Sequence, residues 1–116
     1  MKIILDTNFL ITCLKFNIRF IEELEGNELF IIDKTENELE KLIKGGKGKD
    51  KERAKIILQL IKLKKIKQIR SKKEESVDDT LSGLSDYVIA TQDKELKKRI
   101  MGKKLIIRAK KKLEIK

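Results

Sequence analysis

Short apolar runs alternate along the chain with segments whose apolar residues recur every three or four positions. The runs are typical of buried strands and cover residues 2–5, 29–32, 66–69, 87–90 and 105–107. Helical spacing covers residues 8–14, 18–24, about 35–44, 50–61, 77–84 and about 93–101. This alternation predicts a three-layer α/β sandwich, in which a parallel sheet carries helices on both faces.

Polar residues at the ends of these segments suggest where the helices begin and end. Thr35 with Glu38 three positions later fits a capping box, and Gly45 with the glycine after it would end that helix. Asp50 is expected to cap the next helix, and Thr91 the last one.

Length and composition narrow the class of protein. With 116 residues, one domain over 1–116 is expected, ending in a basic tail over 109–116. No apolar run approaches the roughly 20 residues of a membrane span, so no membrane segment is expected. The first predicted strand begins at Lys2, so no signal peptide is expected. The single Cys13 excludes an internal disulfide and suits a reducing cytoplasm.

Charge and the lack of histidine limit the chemistry. Lys and Arg number 29 against 19 Asp and Glu, a net charge of +10 that suits a polyanion such as RNA. Lysine-rich surfaces are also common as plain solvated faces, so no single lysine cluster identifies the partner. The absence of His excludes histidine-based acid–base catalysis and ordinary His-containing zinc sites.

Two acids lie just beyond the carboxyl ends of predicted strands, where open α/β sheets bind ligands. Asp6 comes after the first strand and Asp93 shortly after the fourth, so their carboxylates would converge if those strands are neighbours. Such like charges raise one another's pKa unless a cation neutralises them, and oxygen-only ligands favour Mg²⁺ or Mn²⁺. The competing interpretation of each acid is a helix cap or a first-turn residue.

Further acids stand near helix starts. Glu38 lies one turn before Leu42 and so borders the apolar stripe of its helix, although it also suits the capping box. Asp78 and Asp79 open a short predicted helix, where one can cap and the other can face the cleft; spacing leaves open which does which.

Four segments resemble, in order, the motifs of PIN-domain nucleases, over nearly the whole chain from Ile3 to about Leu113. The first is Ile4-Leu5-Asp6-Thr7-Asn8-Phe9-Leu10, and the second is Glu38-Leu39-Glu40-Lys41-Leu42. The third is Val77-Asp78-Asp79, and the fourth runs from Val88 to Leu96 with Gln92 where the family more often has Asn.

The resemblance implies a five-stranded parallel sheet with strands one and four side by side, and a metal-dependent endoribonuclease using Mg²⁺ or Mn²⁺. It implies that Asp6 and Asp93 bind the metal directly, and that Glu38 and Asp78 complete the site through water or at a second metal. Water would attack the RNA phosphodiester and leave a 5′-phosphate and a 3′-hydroxyl. The expected supporting residues are Thr7, Asn8 and Thr91, which would hydrogen-bond to the metal ligands. Asp79 is a partner of Asp78 or the alternative to it.

The similarity is greatest to the branch that processes small-subunit ribosomal RNA, including compact archaeal members. Expected partners are therefore ribosomal or other structured RNA, a second copy of the chain, or a ribosome-assembly protein. Two alternatives stay open. One is the ribonuclease toxin of a toxin–antitoxin pair, with an antitoxin as partner; the other is an inactive PIN fold that only binds RNA.

Overall fold

The computed structural model describes residues 1–70 and 86–116. Strands are β1 (Lys2–Leu5), β2 (Glu28–Ile32), β3 (Lys67–Ile69), β4 (Val88–Ala90), β5 (Lys104–Arg108) and β6 (Lys112–Ile115). Helices of the described residues are α1 (Thr7–Lys15), α2 (Phe20–Glu23), α3 (Asp33–Gly45), α4 (Lys49–Leu63) and α5 (Lys94–Arg99). The helix predicted over 77–84 lies outside the described residues. No helix within the described ranges is both long and apolar enough to cross a bilayer.

The strands form one sheet in the order β3-β2-β1-β4-β5-β6. β1 pairs in parallel with both β2 and β4, with Leu5 opposite Ala90, so the first and fourth strands are neighbours as expected. Because these strands are parallel, their carboxyl ends meet at one edge of the sheet, which we call the carboxyl edge.

The prediction of five strands, all parallel, is wrong at one edge of the sheet: the described residues form six strands, and the additional strand β6 pairs antiparallel with β5. The extra strand lies in the segment predicted as a basic tail, where frequent lysines obscure the short apolar alternation that includes Leu113. A tight turn reverses the chain, with Ala109 and Lys110 at φ 53° and 59° and the Lys111 N–H donating to the Arg108 carbonyl oxygen at 3.1 Å.

Side chains that alternate along the strands build a core on each face of the sheet. Ile3 and Leu5 of β1 face the larger core, which contains residues of α1 to α4. Ile4 faces the other side, where Leu96 and Ile100 from α5 and its C-terminus pack against it. The three-layer α/β prediction is therefore confirmed.

Two helix starts differ from the sequence prediction. Helix α3 begins at Asp33, so Thr35 is buried within the first turn instead of capping it, and there is no capping box. Helix α4 begins at Lys49 after Gly48, which has a φ of 64°, and Asp50 lies in the first turn. Spacing misleads here because positions i and i+3 share one face inside a helix as well as at its start.

Candidate active site

Asp6 lies at the carboxyl edge, where β1 ends and α1 begins. It is the N-cap of α1, since its Oδ1 accepts a hydrogen bond from the Thr7 N–H at 2.9 Å. Only 8% of the residue is exposed. The capping interpretation of Asp6 is confirmed, and capping leaves its second carboxylate oxygen available to other groups at this edge.

That second oxygen receives a hydrogen bond from across the sheet. The Thr91 hydroxyl donates to Asp6 Oδ2 at 2.9 Å and accepts from the Asp93 N–H at 3.1 Å. Thr91 is completely buried. One threonine at the end of β4 therefore holds the Asp6 carboxylate and links it to the backbone of Asp93.

Asp93, not Thr91, caps the last helix, so the predicted capping role of Thr91 is wrong. Asp93 Oδ1 accepts from the N–H groups of Glu95 and Leu96, at 2.9 and 3.1 Å. Asp93 is thus a helix cap, which is the competing interpretation that the sequence analysis gave for it. Its other oxygen, Oδ2, makes no hydrogen bond to the described part of the chain, so capping does not exclude a second role.

Glu38 joins the same group through α1. The Thr7 hydroxyl donates to Glu38 Oε1 at 3.1 Å, across 31 residues of sequence. Thr7 therefore donates to both acids, through its N–H to Asp6 and through its O–H to Glu38. Glu38 is half-buried on the side of α3 that faces α1, which is why it reaches Thr7 and forms no capping box.

The sequence analysis overlooked one acid at this edge and assigned no role to Gln92. Asp33 directly follows β2, the neighbour of β1, and is half-buried. The same signal that singled out Asp6, an acid directly after a buried strand, marks Asp33. Gln92, which stands where the family more often has Asn, accepts from the Ile107 N–H at 2.9 Å and so connects β5 to the segment that carries Thr91 and Asp93.

The donor atoms at this edge suit a hard cation. Asp6 and Glu38 offer carboxylate oxygens within a hydrogen-bonded group that contains no sulfur or imidazole, the chemistry that Mg²⁺ and Mn²⁺ prefer. Within residues 1–70 and 86–116, no group of three or more acidic or cysteine side chains is arranged to hold a metal. Asp78 and Asp79 lie outside the described residues.

A cleft of about 570 Å³ opens beside Glu38. Its lining includes Thr7 and Asn8 of α1 and Glu38 of α3. The rest of its lining comes from the C-terminal half of α3 and the residue after it, namely Lys41, Leu42, Gly45 and Gly46.

The family model for a PIN-like domain matches residues 3–112. The chain belongs to the PIN-like domain family. It is 34% identical over 125 aligned positions to Ribonuclease VapC4 of Methanocaldococcus jannaschii, an alignment that covers 98% of this chain and 95% of that protein. The structure of the PIN domain endonuclease Utp24 is also similar, with a TM-score of 0.80 and 28% identity over 99% of this chain and 90% of the other.

Membership in the PIN-like family agrees with the position of the acids. The matched range includes Asp6, Glu38 and Asp93, together with Asp78 from the segment that is not described. Of these, Asp6 and Glu38 are joined through Thr7, and Asp93 is joined to Asp6 through Thr91. The PIN-like fold of this chain thus brings acids from distant parts of the sequence to one edge of the sheet.

Proposed function

We propose that this protein is a divalent-metal-dependent endoribonuclease that hydrolyses RNA phosphodiester bonds at the carboxyl edge of the sheet. The observation that carries the proposal is the pair Asp6 and Glu38, held by one threonine next to an open cleft. Similarity to a ribonuclease and to a PIN domain endonuclease supports the same reaction.

The proposed metal ligands are the four acids Asp6, Glu38, Asp78 and Asp93. When bound there, Mg²⁺ or Mn²⁺ would neutralise the phosphate and make water a stronger nucleophile. The chain itself orients these ligands. Thr7 and Thr91 fix both oxygens of Asp6 by hydrogen bonds, so the carboxylate keeps one orientation as substrate enters. Asn8 and Asp79 are proposed as supporting or alternate groups.

The substrate class is supported by charge more than by shape. The net charge of +10 favours an RNA backbone as partner. Three of the five aromatic residues, Phe9, Phe20 and Phe30, are buried in the cores, so few aromatic side chains are placed to stack on bases. We therefore propose backbone contact with structured RNA, in ribosomal RNA processing or RNA quality control in the cytoplasm.

The two alternatives differ from this proposal in measurable ways. A toxin would have the same chemistry, but its expression would stop growth unless a small antitoxin were present. An inactive RNA-binding form would bind RNA and leave it uncut at any metal concentration. A homodimer is compatible with each of the three.

Cleavage of a labelled structured RNA, with and without Mg²⁺ or Mn²⁺, tests the function. We expect cleavage that EDTA abolishes and that Glu38→Gln lowers by about 10–100-fold, as loss of a supporting ligand does at metal sites. Glu40→Gln is the matched control, because Glu40 lies two positions along the same helix and is exposed. Equal activity of the two variants would reject the site, and RNA that stays intact with every metal would reject the enzyme.

A further inference from the structure

The cleft beside Glu38 has features that the reaction itself does not require. Its volume, about 570 Å³, falls within the range of about 300–1,000 Å³ that is common for small-ligand sites. Thr7 and Glu38 border the cleft and also belong to the proposed active site. Whatever occupies the cleft therefore lies in contact with the reacting region.

Two glycines at the end of α3, Gly45 and Gly46, line the cleft. Helix α3 ends at Gly45, and the Gly46 N–H donates to the Leu42 carbonyl oxygen at 2.8 Å. A Cβ on Gly46 would run into that same carbonyl oxygen, so Gly46 is required by the helix end. A Cβ on Gly45, in contrast, would meet no atom within 4 Å, so packing does not explain the glycine at this position.

The chemistry of the lining suits one nucleotide. Leu42 offers an apolar surface for a ribose or the face of a base, and Gly45 leaves room beside it. Lys41 is exposed at the rim, where its ammonium can pair with a phosphate, and Asn8 supplies an amide donor and acceptor. A sugar–phosphate unit carries these three features together: an apolar face, a negative charge and hydrogen-bonding groups.

We propose that this cleft is a nucleotide subsite that holds the RNA residue next to the cleaved phosphate. Gly45 keeps the subsite open and Lys41 binds its phosphate. The inference rests on the proposed function, because it takes the occupant to be the substrate. It adds that the end of α3, outside the acid cluster, determines how RNA lies against Glu38.

A variant that fills the cleft tests the subsite. Gly45→Leu adds a side chain in open space, and Asn37→Leu is the matched control, since Asn37 is an exposed neutral residue of the same helix outside the cleft. RNA binding is measured by fluorescence anisotropy in EDTA, which needs no metal and no cleavage. We expect Gly45→Leu to weaken binding by about tenfold or more, the effect of steric misfit in a fitted pocket, and Asn37→Leu to leave binding unchanged.

Two further variants separate a loss of binding from a loss of fold. Gly45→Ala should raise the thermal midpoint, because alanine favours the helix, and should still weaken binding. Lys41→Gln should lower the slope of log affinity against log salt by about 0.7, measured with single-stranded RNA. Lys44→Gln, which changes an exposed lysine on the same helix, should lower this slope less.

The outcomes distinguish this inference from the function on which it rests. If the wild type cleaves RNA but Gly45→Leu and Asn37→Leu bind RNA equally well, the subsite is refuted and the nuclease stands. If Gly45→Leu weakens RNA binding while no metal supports cleavage, the cleft is an RNA-binding site, but the nuclease is refuted and with it the position of the cleft next to a cleaved phosphate. A change in oligomeric state with unaltered RNA binding would assign the cleft to a protein partner and overturn the inference.

Discussion

Asp6 combines a structural and a proposed chemical role, and two substitutions separate them. Asp6→Asn removes the charge but keeps groups that can bond to the same partners. Its amide oxygen can still accept from the Thr7 N–H, and its NH₂ can donate to the Thr91 hydroxyl, which then acts as acceptor. Asp6→Ala removes both partners at a site where Thr7 and Thr91 are buried.

The hydrogen bonds in the structure set the expected stabilities. For Asp6→Ala, loss of the N-cap costs about 0.5–2 kcal/mol, and a buried hydroxyl without an acceptor costs about 1–3 kcal/mol. The free energy of unfolding should then fall by about 2–4 kcal/mol, which at about 4 °C per kcal/mol lowers the thermal midpoint by about 8–16 °C. Asp6→Asn should lower the free energy of unfolding by less, about 1–2 kcal/mol, because the N-cap is kept while the buried Thr91 O–H loses its acceptor.

Thermal and urea unfolding measure the stability of both variants, and metal-dependent cleavage of RNA measures their activity. We expect both variants to be inactive and Asp6→Ala to be clearly less stable than Asp6→Asn. Cleavage by Asp6→Asn at the wild-type rate would refute the role of the carboxylate in the site. Equal stability of the two variants would refute the hydrogen-bonding account of Asp6, whatever their activity.

Three further predictions concern other parts of the molecule. Thr91→Val keeps the shape but removes the donor to Asp6, so we expect urea unfolding to show a loss of about 1.5–3 kcal/mol, and an unchanged midpoint would contradict the bond. Replacing Lys110 and Lys111 of the β5–β6 turn with Gln should lower the RNA salt slope by about 0.7 per lysine. Replacing Lys64 and Lys65, which precede β3 at the end of the sheet away from the carboxyl edge, with Gln should leave the slope unchanged. The two double variants are matched because each pair of lysines includes one residue with a positive φ, Lys110 or Lys65. Burial, with a smaller effect from Glu23, raises the pKa of the Cys13 thiol from 9.0 to about 12. Because the thiol ionises at a lower pH in the unfolded chain than in the folded protein, the free energy of unfolding should decline as the pH rises from 9 towards 12. Urea unfolding should show that the free energy of unfolding is about 1.4 kcal/mol lower at pH 10 than below pH 9. If a Cys13→Ala variant shows the same pH profile, the decline does not come from the Cys13 thiol.

The sequence analysis was most successful where the structure of a segment depends on the residues of that segment alone. The run from Lys2 to Leu5 is a strand with Asp6 directly after it, and the α4 stripe includes the buried Ala54, Ile57 and Ile61. The apolar runs of buried strands and the period of helices can both be recognised within consecutive residues. The three-layer α/β class and the position of Asp6 at a strand end therefore follow from the local pattern.

Local spacing was less successful where one pattern serves two structures. The Thr35–Glu38 spacing matches a capping box, but α3 begins earlier and Glu38 bonds to Thr7 instead. The lysines around Leu113 resemble a solvated tail, but this segment forms β6, because the unpaired edge of β5 offers it a backbone partner.

The amino-acid sequence by itself determined which residues are acidic, where the strands end and which faces are apolar. Only the tertiary structure decided that the Thr91 hydroxyl, 85 residues along the chain, bonds to Asp6, and that Thr7 joins Asp6 to Glu38. The reason is that strand order and helix orientation depend on long-range packing, which acts between residues that no local period connects.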